Sequence, residues 1–110
     1  MLNGFFVDII PAATPGNANF TSDAVNGLSF NWVAVQVVAS SLDTGDGALK
    51  LQDSLDGTNW NDIPGVITVG IGASSNMIRY TTFTGAYIRV VWLKGTNTTG
   101  TVTGKLLFKK

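Results

Sequence analysis

Seven Asp residues, at positions 8, 23, 43, 46, 53, 56 and 62, are the whole acidic complement of the chain, and His, Cys and Glu are absent. That residue set rules out most side-chain catalysis. A Ser–His–Asp triad, a Cys–His pair and a glycosidase built on paired Glu each lack a member. With His goes the commonest general base and the commonest transition-metal ligand. Without Cys there is no thiolate, no disulfide and no thiolate zinc site. An Asp pair could still act, as in aspartic proteases, in an Asp-Thr/Ser-Gly setting. Asp43-Thr44-Gly45 is the one such triplet. It lies in a turn-rich stretch where those residue types bond locally. No catalytic residue is assigned, and the chain is expected not to be an enzyme.

Oxygen ligands are the second possibility. Asp53-Ser54-Leu55-Asp56-Gly57-Thr58-Asn59 puts oxygen donors on a Gly-containing loop, the kind of set calcium prefers. The spacing is not that of an EF-hand loop. Asp56-Gly57 is better explained as a tight type I′ turn, with Asp53 and Asn59 as capping residues. The expectation is no resident metal and no cofactor. Asp53, Asp56 and Asn59 are the nearest candidates for a weak calcium site. There is no GxxxxGK[ST] and no GxGxxG before a helix, so no nucleotide site is expected. Gly70-Ile71-Gly72 reads as backbone bending between strands. Asn97-Thr98-Thr99 fits a glycosylation sequon, which carries little weight in a bacterial or cytoplasmic setting.

Charge points away from other partner classes. Seven basic residues balance the seven acids, so nothing attracts nucleic acid or an anionic membrane. The longest apolar run, residues 33–39, is interrupted by Gln36 and is far short of the ~20 residues of a spanning helix. Residues 1–8 have neither a basic n-region nor a long apolar h-region, which reads as no export signal. Only 13% of residues are charged while 45% are hydrophobic, so some of the surface is expected to be covered by a partner.

The elements that hold these residues read as strands and turns in one domain spanning residues 1–110. Val, Ile, Thr and aromatics alternate, while Gly, Asn, Ser and Thr break the chain too often for helices. Strands are expected at 5–10 (ending at Pro11), near 19–21, at 28–40, 48–54, 60–63, 66–69, 76–83 (pairing with 66–69), 86–94 and 101–109. Residues 41–47 are a turn and 95–100 a hairpin loop. Turn signals about every 8–12 residues give an all-β fold, an antiparallel, jelly-roll-like β-sandwich of about eight strands. The expected core is Val33, Val35, Val37, Leu49, Leu51, Trp60, Ile63, Ile78, Tyr80, Ile88, Val90, Trp92, Val102 and Leu106.

A sandwich keeps one face of each sheet wet, yet several strands here are apolar on both faces. Phe30, Trp32, Tyr87, Val91, Leu93 and Leu107 fall opposite the expected core and are the candidate partner interface. Exposed together they would form an apolar patch near the limit for a monomer. The expectation is a closed homo-oligomer, or attachment to a larger lattice.

The run from Leu49 to Gly65 holds Ser54-Leu55-Asp56-Gly57-Thr58-Asn59-Trp60. Gly85-Ala86-Tyr87-Ile88-Arg89-Val90-Val91-Trp92 follows, then Gly100-Thr101-Val102-Thr103-Gly104 and a Lys-rich end. An apolar strand, an S-x-D-G-T-x-W hairpin and a Y-[IVL]-R strand in this order resemble small β-sandwich structural proteins of tailed-phage virions. The likeness covers residues 48–110. It implies a head decoration, head-fibre or tail component that works through protein contacts in the virion and has no catalytic residues, and the likeness to phage fibres makes a trimer one option for the oligomer. A similar hairpin occurs in cell-surface sandwich modules, so a carbohydrate-binding or adhesion module is the alternative.

Overall fold

The structure, a computed structural model, describes residues 4–27, 30, 32–69, 72–80 and 86–109; for residues 5, 64–69 and 72–80 it describes the backbone alone. These residues form strands β1 (Gly4–Pro15), β2 (Phe20–Thr21), β3 (Val25–Asn26), β4 (Trp32–Leu42), β5 (Gly47–Ser54), β6 (Asn61–Val69), β7 (Gly72–Tyr80), β8 (Tyr87–Leu93) and β9 (Thr101–Lys109). All pairings are antiparallel. Sheet A runs β1-β9-β4-β7, and sheet B runs β2-β8-β5-β6 with β3 also on β8. Counting β2 and β3 as one interrupted strand gives the eight-strand double Greek key of a jelly roll. The expected antiparallel β-sandwich is therefore the fold.

Period-two alternation builds the core between the sheets. Val33, Val35 and Val37 of β4 meet Leu49 and Leu51 of β5, Ile88, Val90 and Trp92 of β8, and Val102, Leu106 and Phe108 of β9; all are buried. Each large side chain of this set contributes roughly 1.5–3 kcal/mol on burial. Ile9, Ile10, Ala39 and Leu42 belong to the core as well and were not expected there. Ile9 and Ile10 are neighbours that strict alternation would separate. The register of β1 on β9 slips between Val7 and Ile10, and such a bulge turns adjacent residues to one side.

Several local expectations are corrected. The first strand passes through Pro11 to Pro15 because β1 is a sheet edge, where a missing N–H costs no ladder bond. Residues 61–63 and 66–69 belong to one strand, with a register shift opposite Lys50 and Gln52 that accommodates Pro64-Gly65. β7 pairs with β4 and not with residues 66–69, so the chain changes sheet after β6. The part of that expected strand at 81–83, and the side chains of Ile78 and Tyr80, lie outside the described residues. Residues 95–100 are no hairpin loop: they join β8 in sheet B to β9 in sheet A.

The turn at Asp56-Gly57 is also wider than expected. Type I′ needs positive φ at both central residues, but only Gly57 has it, at 77°. Ser54 Oγ accepts the N–H of Gly57 at 2.9 Å, and Asp56 Oδ1 accepts those of Thr58 and Asn59 at 2.9 and 2.8 Å. Ser54 and Asp56, rather than Asp53 and Asn59, cap this loop.

Candidate interaction surface

Apolar side chains meet solvent on the outward side of sheet A, as well as at Leu55 in the β5–β6 loop and at Leu93 on β8. Phe6 of β1 stands opposite Leu107 of β9, which in turn stands opposite Ala34 of β4. Phe6 is 73% exposed and Val38 of β4 46%. Phe6, Trp32, Ala34 and Leu107, with Gln36 and Lys105, line a shallow depression of about 270 Å³. Lys109 Nζ lies 5.3 Å from the centre of the half-buried Trp32 ring, a favourable cation–π geometry. Phe6, Leu107, Ala34 and Trp32 thus form an apolar strip across three adjacent strands, bounded by Lys109 at one end and by the Gln36/Lys105 pair at the other, beyond which Val38 stands apart.

The outward side of sheet B has a different chemistry. Arg89 of β8 lies over the Trp60 ring, 4.2 Å from its centre, and donates through Nε to Gln52 Oε1 at 2.7 Å. Gln52 Nε2 donates to Asp62 Oδ1 at 2.8 Å, and Lys50 Nζ to Asp62 Oδ2 at 3.2 Å. The Gln52 amide first, and then Lys50, hold the Asp62 carboxyl below its ordinary value. Trp60, expected in the core, is half-buried on this outer side, because it lies in the loop before β6 rather than at an inward strand position.

The six candidate interface residues therefore do not form one patch. Trp32 and Leu107 lie on the outer side of sheet A. Tyr87, Val91 and Leu93 alternate with the buried Ile88, Val90 and Trp92 of β8 and lie on the outer side of sheet B. Phe30 is partly buried against the core, with its ring centre 6.0 Å from that of Phe108. Its assignment to an outer side is corrected: β4 begins at Trp32, so strand alternation does not extend back to Phe30. Phe6 and Val38, the most exposed large apolar residues on this side, were not among the candidates. Phe6 carried a signal, since it alternates with Val7 in an otherwise apolar run.

At one end of the sandwich the loops interlock. Asp43 accepts from the hydroxyl and the N–H of Thr98, the latter at 2.8 Å. Asp46 accepts from the Thr44 hydroxyl, and from the N–H and hydroxyl of Thr96 at 3.0 and 2.7 Å. Asn97 is buried; its Oδ1 accepts the Thr44 N–H at 2.9 Å and its Nδ2 donates to Lys94 O at 2.8 Å. With both polar atoms used and the side chain buried, Asn97 is a structural latch and not a glycan acceptor. The triplet Asp43-Thr44-Gly45 belongs to this latch. The Thr98 hydroxyl chiefly lowers the Asp43 carboxyl, and the Thr44 hydroxyl, then Thr96, lowers that of Asp46 to about 2.

A pH dependence follows from these two carboxyls. Their folded values lie below the ordinary 3.8, so their contribution is fully present above that value. It is lost as pH falls through it toward about 2. The thermal midpoint is expected to be flat above about pH 5 and to fall steeply below about pH 4. The double variant Asp43→Asn/Asp46→Asn should show a lower midpoint at neutral pH and a shallower acid slope. An unchanged slope in that variant would contradict the latch.

The calcium-like loop is internally satisfied. Asp56 Oδ2 accepts from Asn59 Nδ2 at 2.7 Å. The N–H groups of Asn59 and Thr58 hold the Asp56 carboxyl well below the usual carboxylate range. Among the described residues, no three His, Cys, Asp or Glu side chains converge in a metal-binding group.

No family model and no curated protein sequence matches the chain. Solved structures match it in fold. The PBSX exported protein XepA superposes with a TM-score of 0.71 at 14% identity, over 96% of this chain and 37% of that one. The PRD1 vertex protein P5 gives 0.53 at 8% identity, over 96% and 94%. A CBM4 structure gives 0.51 at 14%, over 94% and 66%. The chain thus spans little more than a third of XepA. Phage and viral proteins stand among the neighbours of this sandwich, together with a carbohydrate-binding module. At such identities the likeness is one of fold.

Proposed function

We propose that the chain is a non-enzymatic structural protein of a bacteriophage particle, a capsid decoration, head fibre or tail component. It acts in the virion through protein–protein contacts with itself and with other particle proteins. The observation that carries this reading is the outer side of sheet A. A solvated sheet face takes polar residues at its outward positions, yet here Phe6, Leu107, Ala34 and Trp32 sit together at such positions across β1, β9 and β4, with the exposed Val38 beyond the Gln36/Lys105 pair. Covering this strip removes apolar surface from water at about 25 cal/mol per Å². The absence of His, Cys and Glu supports a role without catalysis. The fold neighbours XepA and the PRD1 vertex protein support the setting.

The test is co-sedimentation of the purified chain with particles lacking it. Wild-type chain is expected to sediment saturably. Trp32→Ser combined with Val38→Ser should weaken binding on the order of thirtyfold, the effect of losing a hot spot of about 2 kcal/mol. Unchanged binding by a folded variant would overturn the assignment of this face.

A sugar-binding module is the second reading. The half-buried Trp32 beside a depression that also holds Gln36 and Lys105 favours it, since an aromatic ring with flanking hydrogen-bonding groups suits a sugar ring. A glycan-array hit lost on Trp32→Ala, with folding intact, would select this reading.

A further inference from the structure

Among the described residues, β1 is the end strand of sheet A and pairs on one side, with β9. Beyond Val7 it carries the features that blunt a sheet edge: register shifts after Val7 and Ile10, Pro11, Pro15, and Ala13 at φ 62°. Residues 4–7 carry none of them. From Gly4↔Lys109 to Val7↔Leu106 the ladder is regular, and Phe6 projects there at 73% exposure. On the other side of the same strand, between β1 and the interrupted edge β2/β3, opens a cleft of about 340 Å³. Val7, Ile9, Phe20 and Val25 line it, with the exposed Asp8 and Asp23. Edge, aromatic knob and acidic apolar cleft all lie within one stretch of β1, and Lys105 stands beside it with Nζ 3.7 Å from Asp8 Oδ1.

We propose that two copies of this chain associate through the first half of β1, the Phe6 ring of each seated in the other's cleft and each Lys105 facing the other's Asp23. The inference deepens the assembly reading and rests on it. A knob and a cleft on opposite sides of one strand are exchanged by a two-fold axis passing near Asp8, which makes the contact self-complementary. The cleft is ample for the ring, since a cavity of about 150 Å³ already holds benzene. Charge agrees with the arrangement: cations at Lys105 meet acids at Asp8 and Asp23. A face-to-face pairing of the two strips would instead bring Lys105 and Lys109 against their own copies. Phe6 is the single large side chain gained per copy, so the pair is weak alone and is reinforced where many copies are arrayed. The geometry gives a pair rather than a trimer.

Sedimentation equilibrium from micromolar to millimolar concentration tests this, on the wild type, Phe6→Asp, Asp23→Lys, Lys105→Asp and the double variant Lys105→Asp/Asp23→Lys. Phe6, Asp23 and Lys105 are exposed, so the variants should keep the wild-type melting temperature. The expected result is a concentration-dependent dimer. Phe6→Asp should weaken it on the order of thirtyfold. Each single charge reversal should weaken it, and the double variant should recover most of the loss. A monomer at every concentration, indifference to Asp23→Lys, or no recovery in the double variant overturns the proposal. Loss of the dimer on Trp32→Ser but not on Phe6→Asp means face-to-face pairing and overturns it too. A monomer that still sediments with particles sinks this inference alone; a dimer that never does sinks the assembly reading alone.

Discussion

Trp92→Ala is expected to destabilise the protein by about 3–5 kcal/mol, the range for emptying a large aromatic site in a core. Trp92 lies near the C-terminal end of β8 and is fully buried among the inward residues of both sheets. Its indole N–H donates to Gly16 O at 3.1 Å, tying sheet B to the chain that leaves β1. The ring also fixes the start of β5: a side chain at Gly47 would place its Cβ 2.5 Å from Cη2 of Trp92. Removing the indole therefore leaves a cavity, an unpaired carbonyl and an unsupported strand start. Trp60→Ala serves as the contrast, because Trp60 is half-buried on the outer side under Arg89 and should cost about 1 kcal/mol or less. Urea unfolding followed by circular dichroism measures both. Equal losses from the two substitutions would contradict the packing described.

Gly100→Ala is the second large effect, expected at about 3 kcal/mol. Gly100 closes the crossing from β8 to β9 at φ 103°, a region that costs other residues 1–3 kcal/mol. A Cβ there would also stand 2.8 Å from Leu42 N and Ser40 O. These are backbone atoms of β4 that cannot move without disturbing the Ser40↔Thr101 pairing at the start of β9. Gly57→Ala is the control. Gly57 has φ 77°, but the nearest atom to its Cβ would be in the Tyr87 ring at 3.7 Å, so only the backbone term of about 1 kcal/mol applies. Denaturant midpoints on the two variants separate steric from conformational cost. Similar values for both would mean that the close approach of Gly100 to β4 is not rigid.

How far the sequence carried the fold follows from what each signal measures. Alternation identified β4, β5, β8 and β9, because one side of each faces a common core and period two is then unavoidable. It failed at β1, where a bulge puts Ile9 and Ile10 on the same side, and at Phe30, which packs on the core from outside the strand. Turn chemistry marked where strands end but not which sheet the next strand joins. The loop at 95–100 reads like a hairpin and is a crossing, since both need Gly and Asn and only partners distant in sequence tell them apart. The same holds for the end latch: Asp43 and Asp46 read as local turn residues, and their hydroxyl donors at Thr98 and Thr96 are some fifty residues away.

The surface was half legible. Trp32 and Leu107 were found because they oppose buried positions, and the structure puts them on one strip. Tyr87, Val91 and Leu93 met the same criterion and lie on the other outer side, since opposition to a core does not say which of two sheets a residue belongs to. Phe6 sits on an edge strand, where exposure depends on the missing neighbour rather than on residue type.

Quantitative mass spectrometry of gradient-purified particles from a lysate that expresses this chain tests the central claim most directly. The chain is expected in a fixed copy number per particle, a multiple of the particle's symmetry, with Trp32→Ser/Val38→Ser chains depleted from particles while still present in the lysate. A chain absent from purified particles and recovered wholly in the unassembled fraction would contradict it.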